Sequence, residues 1–505
     1  VNALRPWLAA CLALTLAPAC ETPPERVERE LSLELPADWI ARPGESGAVD
    51  GHWWARFDDG DLAGLVERAL LANPDLAVAA ARVSEARALA AITGADLAPR
   101  LSGNLGAARS KTNFVGLPIP GGGGVTTSRF SSYDLGLGAS WELDLWGRLA
   151  DREEAALARA DAAYVDLQAV RLSLVGAVLR AAFTVLEAQA QLDLAERTAA
   201  SWEENDDLVQ RRYRRGLVPA LQARQVASNL AGARARIADR RRQLRDATLA
   251  LSVLLGEPAD LTLDAGDAFP ELVDDIPPGL PVTLLSRRPD LVAAERRLMA
   301  AELEVEAARK AFYPSLTLTG SVGTSSDQLG DLLDGDFTVW NLAGNLVQPI
   351  FEGGRLRAQV ELADAQADAA LAGFAATLLD ALAEVESTLA ADADLAEVEA
   401  ELVRASDHAT SARDLAAERY RSGLVELIDL LDSQRTAQLA ESELLTFRRL
   451  RLDNRVALHV ALGGGFDAER DLALGREQWA EALDGEEDEQ QEERPAVDAA
   501  DGERR

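Results

Sequence analysis

The sequence predicts a mainly helical protein with a short membrane-spanning β part, built from one unit used twice. Three observations carry this. First, Arg212-Tyr213-Arg214-Arg215-Gly216-Leu217-Val218 returns as Arg419-Tyr420-Arg421-Ser422-Gly423-Leu424-Val425, and Gly256 returns as Gly463, both at a shift of 207 (423 − 216, 463 − 256). Asn73-Pro74-Asp75-Leu76 also matches Arg288-Pro289-Asp290-Leu291 and Pro99 matches Pro314, at a shift of 215 (289 − 74, 314 − 99). The second copy has therefore lost eight residues in between, and a repeat this long implies one supersecondary unit used twice. Second, each half contains a stretch whose apolar period changes from helical to two. Third, each half contains more than sixty residues with no Pro and almost no Gly.

Arg5, an apolar run from Trp7 to Leu16, and Ala17-Pro18-Ala19 before Cys20 have the layout of a secretory signal, too short to span as a helix. Residues 1–19 are assigned to it. Cys20 directly after small residues resembles a bacterial lipobox and is the candidate lipidation site; Glu21 follows it, which favours the outer membrane. Once the signal is removed Cys20 is the only cysteine, which excludes an intrachain disulfide and a thiolate metal cluster.

Residues 20–60 are rich in Pro, Gly and charge and read as an extended, lipidated lead-in. Residues 61–275 form the first repeat and 276–465 the second. Within them Asp61 to Leu97 favours helix, with Pro74 and, in the second copy, Pro289 in the N1 position that starts a new helix. Past Pro99, Leu101, Gly103, Leu105 and Ala107 alternate with Ser102, Asn104 and Gly106; Leu316, Leu318 and Val322 alternate with Thr317, Thr319 and Ser321. Tyr133 to Trp141 and Trp340 to Leu346 alternate likewise, giving four strands in two hairpins, each with one apolar face. The loop from Pro118 to Gly124 carries the first copy's extra length.

From Arg148 to about Arg212 and from Arg355 to about Arg419 the spacing predicts helices roughly 95 Å long at 1.5 Å per residue. These do not fit a compact globule, whose radius of gyration at this length is about 23 Å. Apolar steps of four and three (Leu174, Val178, Ala181, Val185; Leu378, Leu382, Val385, Leu389) fit a two-helix coiled coil and equally a sheet or barrel of helices. Gly216 and Gly423 stand where a left-handed C-cap is needed, with arginines complementing the helix dipole. Return helices follow, from about Ala220 to Leu255 and from Glu426 to Leu462. Residues 466–505 are mostly acidic and read as a disordered tail.

Composition narrows the function. A net charge of −33 repels nucleic acid and leaves no counterion-release binding. The mature histidines, His52, His408 and His459, have no ligand-like spacing, and no nucleophile or phosphate-loop motif occurs, so neither an enzyme nor a cofactor is expected. A coiled-coil envelope spacer or adhesin would explain the helices but leave the strands idle. A soluble sheet packed on helices would leave the export signal unexplained. Four strands of about ten residues cannot close in a bilayer, where every edge must be paired and the smallest outer-membrane barrels have eight strands. Several copies must then share one wall, with Asn104, Thr317, Thr319, Asn341 and Asn345 toward water and Tyr133, Trp141 and Trp340 at the interfaces.

The stretches Arg287 to Glu295, Phe312-Tyr313-Pro314-Ser315-Leu316, Gln348 to Arg355, Trp141 to Arg148 and Arg419 to Arg435 resemble the TolC-like outer-membrane factors. They are closest to the lipoprotein branch serving resistance-nodulation-division efflux pumps. The resemblance covers about Cys20 to Gly465. It implies a homotrimeric 12-stranded β-barrel, four strands per chain, continued by a long periplasmic α-helical barrel. Its implied partners are a periplasmic adaptor protein, an inner-membrane pump and outer-membrane lipid. It implies that the hairpin tips Gly216, Leu217, Val218, Gly423, Leu424 and Val425 contact the adaptor. It also implies a periplasmic gate in which Ile428 supplies an apolar ring and Asp432 an acidic one. The first copy has Gln225 opposite Asp432 and Gln222 opposite Asp429, so only the second copy brings the acid. The plainer reading of Asp432 is an ion pair with Arg435 one turn on. The expected function is a passive exit duct for small molecules; a duct for type I protein secretion is the alternative.

Overall fold

In the computed structural model, which describes residues 22–24, 29, 30, 33, 35–42, 51–57, 60–114, 126–259, 268–272 and 276–479, the duplication is visible element by element. Helices α1 (Gly60–Ala72) and α2 (Pro74–Gly94) lead into strands β1 (Arg100–Phe114) and β2 (Thr126–Leu143), then α3 (Arg148–Arg214) and α4 (Ala220–Leu254). The second half supplies α5 (Pro289–Lys310), β3 (Ser315–Ser326), β4 (Thr338–Val347), α6 (Arg355–Arg421) and α7 (Leu427–Ala461). Helices α3 and α6 each have 67 residues, and α4 and α7 each have 35, so the shift of 207 holds through both helical hairpins. The eight-residue difference lies in the β part: β1 and β2 have 15 and 18 residues, β3 and β4 have 12 and 10.

Contacts divide the chain into two compact units, each drawn from both repeats. Among the described residues, the first holds Ser84–Ala160 and Glu295–Gly373; the second holds Ser32–Val83, Asp161–Ala294 and the chain from Phe374.

The first unit is an antiparallel sheet in the order β1-β2-β3-β4, carried on helix ends that pack through small side chains. Ala155 and Ala158 meet Ala300, and Ala363 and Ala367 meet Val305. Alanine at such contacts lets helix axes approach closely. Lys310 pairs with Asp151 at 2.5 Å and Arg159 with Glu304 at 3.0 Å, while Trp146 donates Nε1–H to the Pro314 carbonyl at 2.8 Å.

The second unit contains two cores that are copies of one another. Val178, Leu251, Leu255 and Ala69 in the first correspond to Val385, Leu458, Leu462 and Leu284 in the second. The ends of the return helices are copied too. Gly256 N–H meets the Val253 carbonyl and Glu257 N–H the Ser252 carbonyl, both at 3.1 Å; Gly463 and Gly464 repeat this on Val460 and His459, both at 2.9 Å. This is the Schellman cap. Its glycine, at φ 70° and 89°, lies against the chain entering α2 or α5. A Cβ there would overlap the carbonyl oxygen of Ala72 or Arg287. The exposed carbonyls find matching donors: Asn73 Nδ2 bonds Leu254 O at 2.9 Å, and Arg288 Nη1 bonds Ala461 O at 3.0 Å. Asn73 and Arg288 are themselves equivalent in the repeat.

Polar seams tie the second unit's helices together. Arg449 on α7 bonds both Glu187 on α3 and Asp453 on its own helix. Asp392 on α6 pairs with Arg455 at 2.7 Å. Burial pushes the Asp453 carboxyl up to about 6, and Glu187 adds to the rise, against the opposing pull of Arg449 and Arg180. Burial likewise drives His459 down to about 3, with Arg56 and Arg455 contributing. The neutral imidazole stacks on Trp53 with ring centroids 4.6 Å apart. Helix α3 is long and apolar enough to cross a membrane by length and composition, yet half of its most apolar window is buried, with Val175, Val178, Leu179 and Phe183 in the first core.

Two boundaries differ from the sequence reading. The lead-in is not extended throughout: Trp53–Phe57 is a 3₁₀ turn, and Trp53 and Phe57 insert into the first core. The tail assigned from 466 begins too early, because residues 468–479 are helical and Phe466 and Leu472 are buried with Val165, Val292 and Ala293. The signal, Cys20, the loop from Pro118 to Gly124 and residues from 480 on lie outside the described residues.

Two outcomes follow for stability, both readable by thermal unfolding in detergent. Gly463→Ala should cost well over the ~1 kcal/mol typical of a strained left-handed residue, because the methyl also meets the Arg287 carbonyl. Gly216→Ala, with nothing within 4 Å of the added carbon, should cost only about that. A carboxyl raised from 3.8 to about 6 holds its proton longer folded than unfolded, so its effect on stability worsens as pH rises through that window and stays constant above it. Asp453→Asn should therefore melt higher than wild type at pH 7.5, with the difference shrinking at pH 5. An unchanged difference would remove Asp453 as the cause.

Candidate functional site

The sheet register places all the alternating apolar residues on one side. Leu105 faces Leu135, Trp141 faces Leu318, Leu137 faces Val322, and Val322 faces Trp340. On this side Leu101, Leu105, Trp340 and Leu342 are each about three-quarters exposed, forming a contiguous apolar surface. Soluble monomers rarely leave such a surface open; it marks a membrane or an interface. Trp141, which donates to the Leu97 carbonyl at 2.8 Å, stands at one end of the strands, and Tyr133 stands eight residues toward the other. At ~3.4 Å per residue that is roughly 27 Å along the strand, and about 21 Å after the usual tilt, near the height of an outer-membrane apolar band.

The opposite side carries Ser102, Asn104, Ser140, Thr317, Thr319, Asn341 and Asn345, matching the predicted polar face. Asp134 accepts from Ser325 at 2.6 Å and Ser132 at 2.8 Å. At its helix end, Arg100 pairs with Asp96 and Arg148 with Glu142 at 2.6 Å; these four residues with Arg152 and Thr317 line a cavity of about 300 Å³. Strands β1 and β4 each pair on one side only, so two backbone edges are open.

In the second unit the long helices end at the repeated motif. Gly216 and Gly423 have φ of 74° and 76°. Leu217 N–H and Leu424 N–H return to the carbonyls of Arg212 and Arg419 at 3.0 and 2.8 Å. Leu217 and Leu424 are exposed, while Val218 and Val425 turn in against a cluster holding Trp202, Val209, Val226, Tyr420, Leu427 and Leu430. Ile428 is 61 % exposed. Asp432 is also largely exposed and accepts from Arg435 at 2.9 Å, the plainer of the two sequence readings within one chain. Asp429 is structural, because its carboxylate accepts the Glu426 N–H at 3.1 Å in a capping box that starts α7.

What the sequence did not reveal is how the two tips are joined. Arg212 Nη2 donates to the carbonyls of Tyr420 at 3.3 Å and Arg421 at 3.0 Å, and its guanidinium lies 4.9 Å over the Tyr420 ring. Tyr213 is half exposed and Tyr420 buried, so equivalent tyrosines in a seven-residue motif have parted roles. The motif's conspicuous arginines signalled helix capping; only packing shows that one of them reaches the other copy.

Known proteins agree with this geometry. The family profile described as "Outer membrane efflux protein" matches residues 65–257 and 280–464. The chain is similar to the pyoverdine export outer membrane protein OpmQ of Pseudomonas aeruginosa, 34% identical over 92% of this chain and 97% of that protein. It is also similar to the outer membrane protein OprJ of the same species, 35% identical over 93% and 97%. Among solved structures, the Campylobacter jejuni CmeC outer membrane channel superposes with a TM-score of 0.82 at 25% identity, covering 91% of this chain and 98% of that one. With its paired helical hairpins, its sheet with one bare apolar face, and these relatives along nearly its whole length, the chain belongs to the outer membrane efflux protein family.

Proposed function

We propose that three copies of this chain form the exit duct of a tripartite efflux pump. The β4 edge of each copy pairs with the β1 edge of the next, giving twelve strands around water. Supporting this most directly is the sheet itself, whose apolar side is bare and whose two outer strands lack partners. In hydrocarbon each unpaired backbone group costs several kcal/mol, so the edges must be joined, and four strands are too few to join to themselves. Cys20, lipid-modified after signal removal, adds an anchor. The duplicated halves, residues 61–275 and 276–465, then contribute six quasi-equivalent hairpins to one wall.

The hairpin tips, with Leu217 and Leu424 exposed beside turned-in valines, are the surface offered to a periplasmic adaptor protein, which in turn joins an inner-membrane pump. Ile428 and Asp432 narrow the mouth. Three Asp432 carboxylates around a threefold axis favour cations, as acidic rings do in pores. The neighbouring Arg435, one turn along α7, meets Asp432 in an exposed pair worth only ~0–1 kcal/mol. The cargo is small molecules selected by the pump.

Purified full-length protein should run as a trimer by mass and conduct ions in a planar bilayer; a monomer that never conducts would overturn the duct. Asp432→Ala should keep the trimer and lower the cation-over-anion permeability ratio severalfold. Identical conductance and selectivity in the variant would remove Asp432 from the gate.

A further inference from the structure

The second unit's four long helices form a row. Ion pairs join α4 to α3 (Arg234 to Glu203 at 2.7 Å, Arg241 to Glu196 at 2.8 Å). Hydrogen bonds join α3 to α7 (Gln191 to Ser442 at 2.9 Å, Gln434 to Ser201 at 3.0 Å). Ion pairs join α7 to α6 (Arg451 to Glu399 at 2.7 Å, Arg413 to Glu441 at 3.1 Å). Above the tips, where α3 also touches α6 through Arg212 and Glu204, the order α4-α3-α7-α6 leaves α4 and α6 as the outer members.

These outer helices are the ones with lopsided charge. Helix α4 carries seven arginines against two aspartates, net +5, in a chain of net −33. Helix α6 carries fourteen acids against six arginines, net −8. The inner pair is nearly balanced, with α3 at −3 and α7 at zero. Opposite signs thus stand at opposite ends of one row.

Resting on the trimeric reading above, we propose that the outward face of α4 receives α6 of a neighbouring copy of this chain along an electrostatic seam. In it Arg236, Arg242 and Arg245 meet Glu401, Glu397 and Asp394.

The faces fit. On α4, Ala223, Val226, Leu230 and Ala233 are buried, and the far side presents Ser228, Gly232 and Ala235, with nothing within 4 Å of a carbon added at Gly232. Arg242 continues that smooth stripe while Arg236 and Arg245 flank it, the positions from which side chains bridge paired helices. On α6, Asp392, Glu399 and buried Ser406 face inward, and Asp394, Glu397 and Glu401 recur at steps of three and four on the outer side.

The levels fit as well. Arg212 holds the two tips of one chain side by side, so heights can be counted from Gly216 and Gly423. Arg236, Arg242 and Arg245 lie 20, 26 and 29 residues from Gly216; Glu401, Glu397 and Asp394 lie 22, 26 and 29 from Gly423. At ~1.5 Å per residue these are roughly 30, 39 and 44 Å against 33, 39 and 44 Å. The groups are also available. Among the described residues Arg236, Arg245, Asp394 and Glu397 are exposed and make no hydrogen bond or ion pair within the chain. Arg242 and Glu401 pair only along their own helices, with Asp239, Asp246 and Arg404. Each rung is weak and salt-screened alone, but threefold symmetry makes nine.

The test uses full-length protein in detergent. The double variant Arg245→Cys with Asp394→Cys, treated with a short bis-maleimide, should give a covalent trimer in denaturing gels, while either single variant gives none. Charge reversal at Arg236, Arg242 and Arg245 to Glu should lower the temperature at which the trimer dissociates. Reversal of Asp394, Glu397 and Glu401 to Arg in the same chain should restore it, a rescue that mere misfolding would not show. Cross-links confined to one chain, cross-links to an adaptor protein only, or a trimer indifferent to both reversals would overturn the seam. If the parent protein is itself trimeric and conducting, such results leave the duct standing; a monomeric, silent parent would sink the duct instead.

Discussion

The constraint on which the rest of this architecture depends is the unpaired backbone at the two outer strands. About half of the N–H and C=O groups of β1 and β4 point away from their single partners. The apolar side of the sheet forbids leaving those groups to water. Several such groups per edge, at several kcal/mol each in hydrocarbon, amount to tens of kcal/mol. That exceeds the net stability of a typical domain, about 5–15 kcal/mol. Assembly is therefore a condition of inserting the sheet rather than a later embellishment. The polar side, with Asn104, Asn341, Asn345 and the threonines of β3, fits only a wet interior.

Duplication supplies the helical part economically, and the copies differ where the two halves play different parts. The Schellman caps at Gly256 and Gly463 are the same object, yet the donor that completes them is Asn73 in one copy and Arg288 in the other. Arg288 does more: it also pairs with Asp290 at 2.7 Å and Glu384 at 2.8 Å, tying the entry of α5 to α6. Likewise Tyr213 faces solvent while Tyr420 is enclosed beneath Arg212, and Gln225 stands where the other copy has Asp432. Quasi-equivalent backbones with divergent side chains thus put a carboxylate at position 432 that the first copy lacks at 225.

How far the sequence could be read follows from the range of each interaction. Helix lengths, strand alternation and the capping glycines are set by neighbours within a few residues, so α3, α6, β3 and β4 were legible to within a few residues, whereas β1 and β2 run about seven residues further toward their loop than the alternation of apolar residues marks. The apolar and polar sides of the sheet were legible for the same reason, since a register with one buried face allows no slip. Trp53 and Phe57 were not. Their targets, His459 and Phe183, lie hundreds of residues or a helix away, and an aromatic cluster in a Pro-rich stretch gives no hint of which core accepts it. Residues 466–479 were misassigned because the acidic run beyond them biased the composition, while Phe466 and Leu472 pack on Val165 and Val292 across the fold. The link from Arg212 to the Tyr420 and Arg421 carbonyls was hidden similarly, since each arginine in the motif is sufficiently explained as a helix terminator.

Stability is distributed unevenly along the second unit. The duplicated cores contain fully buried Leu62, Leu179, Phe183, Leu251, Leu291 and Leu458, where each large side chain contributes roughly 1.5–3 kcal/mol by burial. Toward the tips the packing thins to one shared cluster. There the polar links include long, largely exposed ion pairs such as Arg421 to Glu204 at 3.6 Å, a class worth only ~0–1 kcal/mol each. Local opening free energy falls where buried apolar contacts are few. Local opening of α7 is therefore easiest at its Leu427 end and becomes steadily harder toward Val456, which lies in the first core.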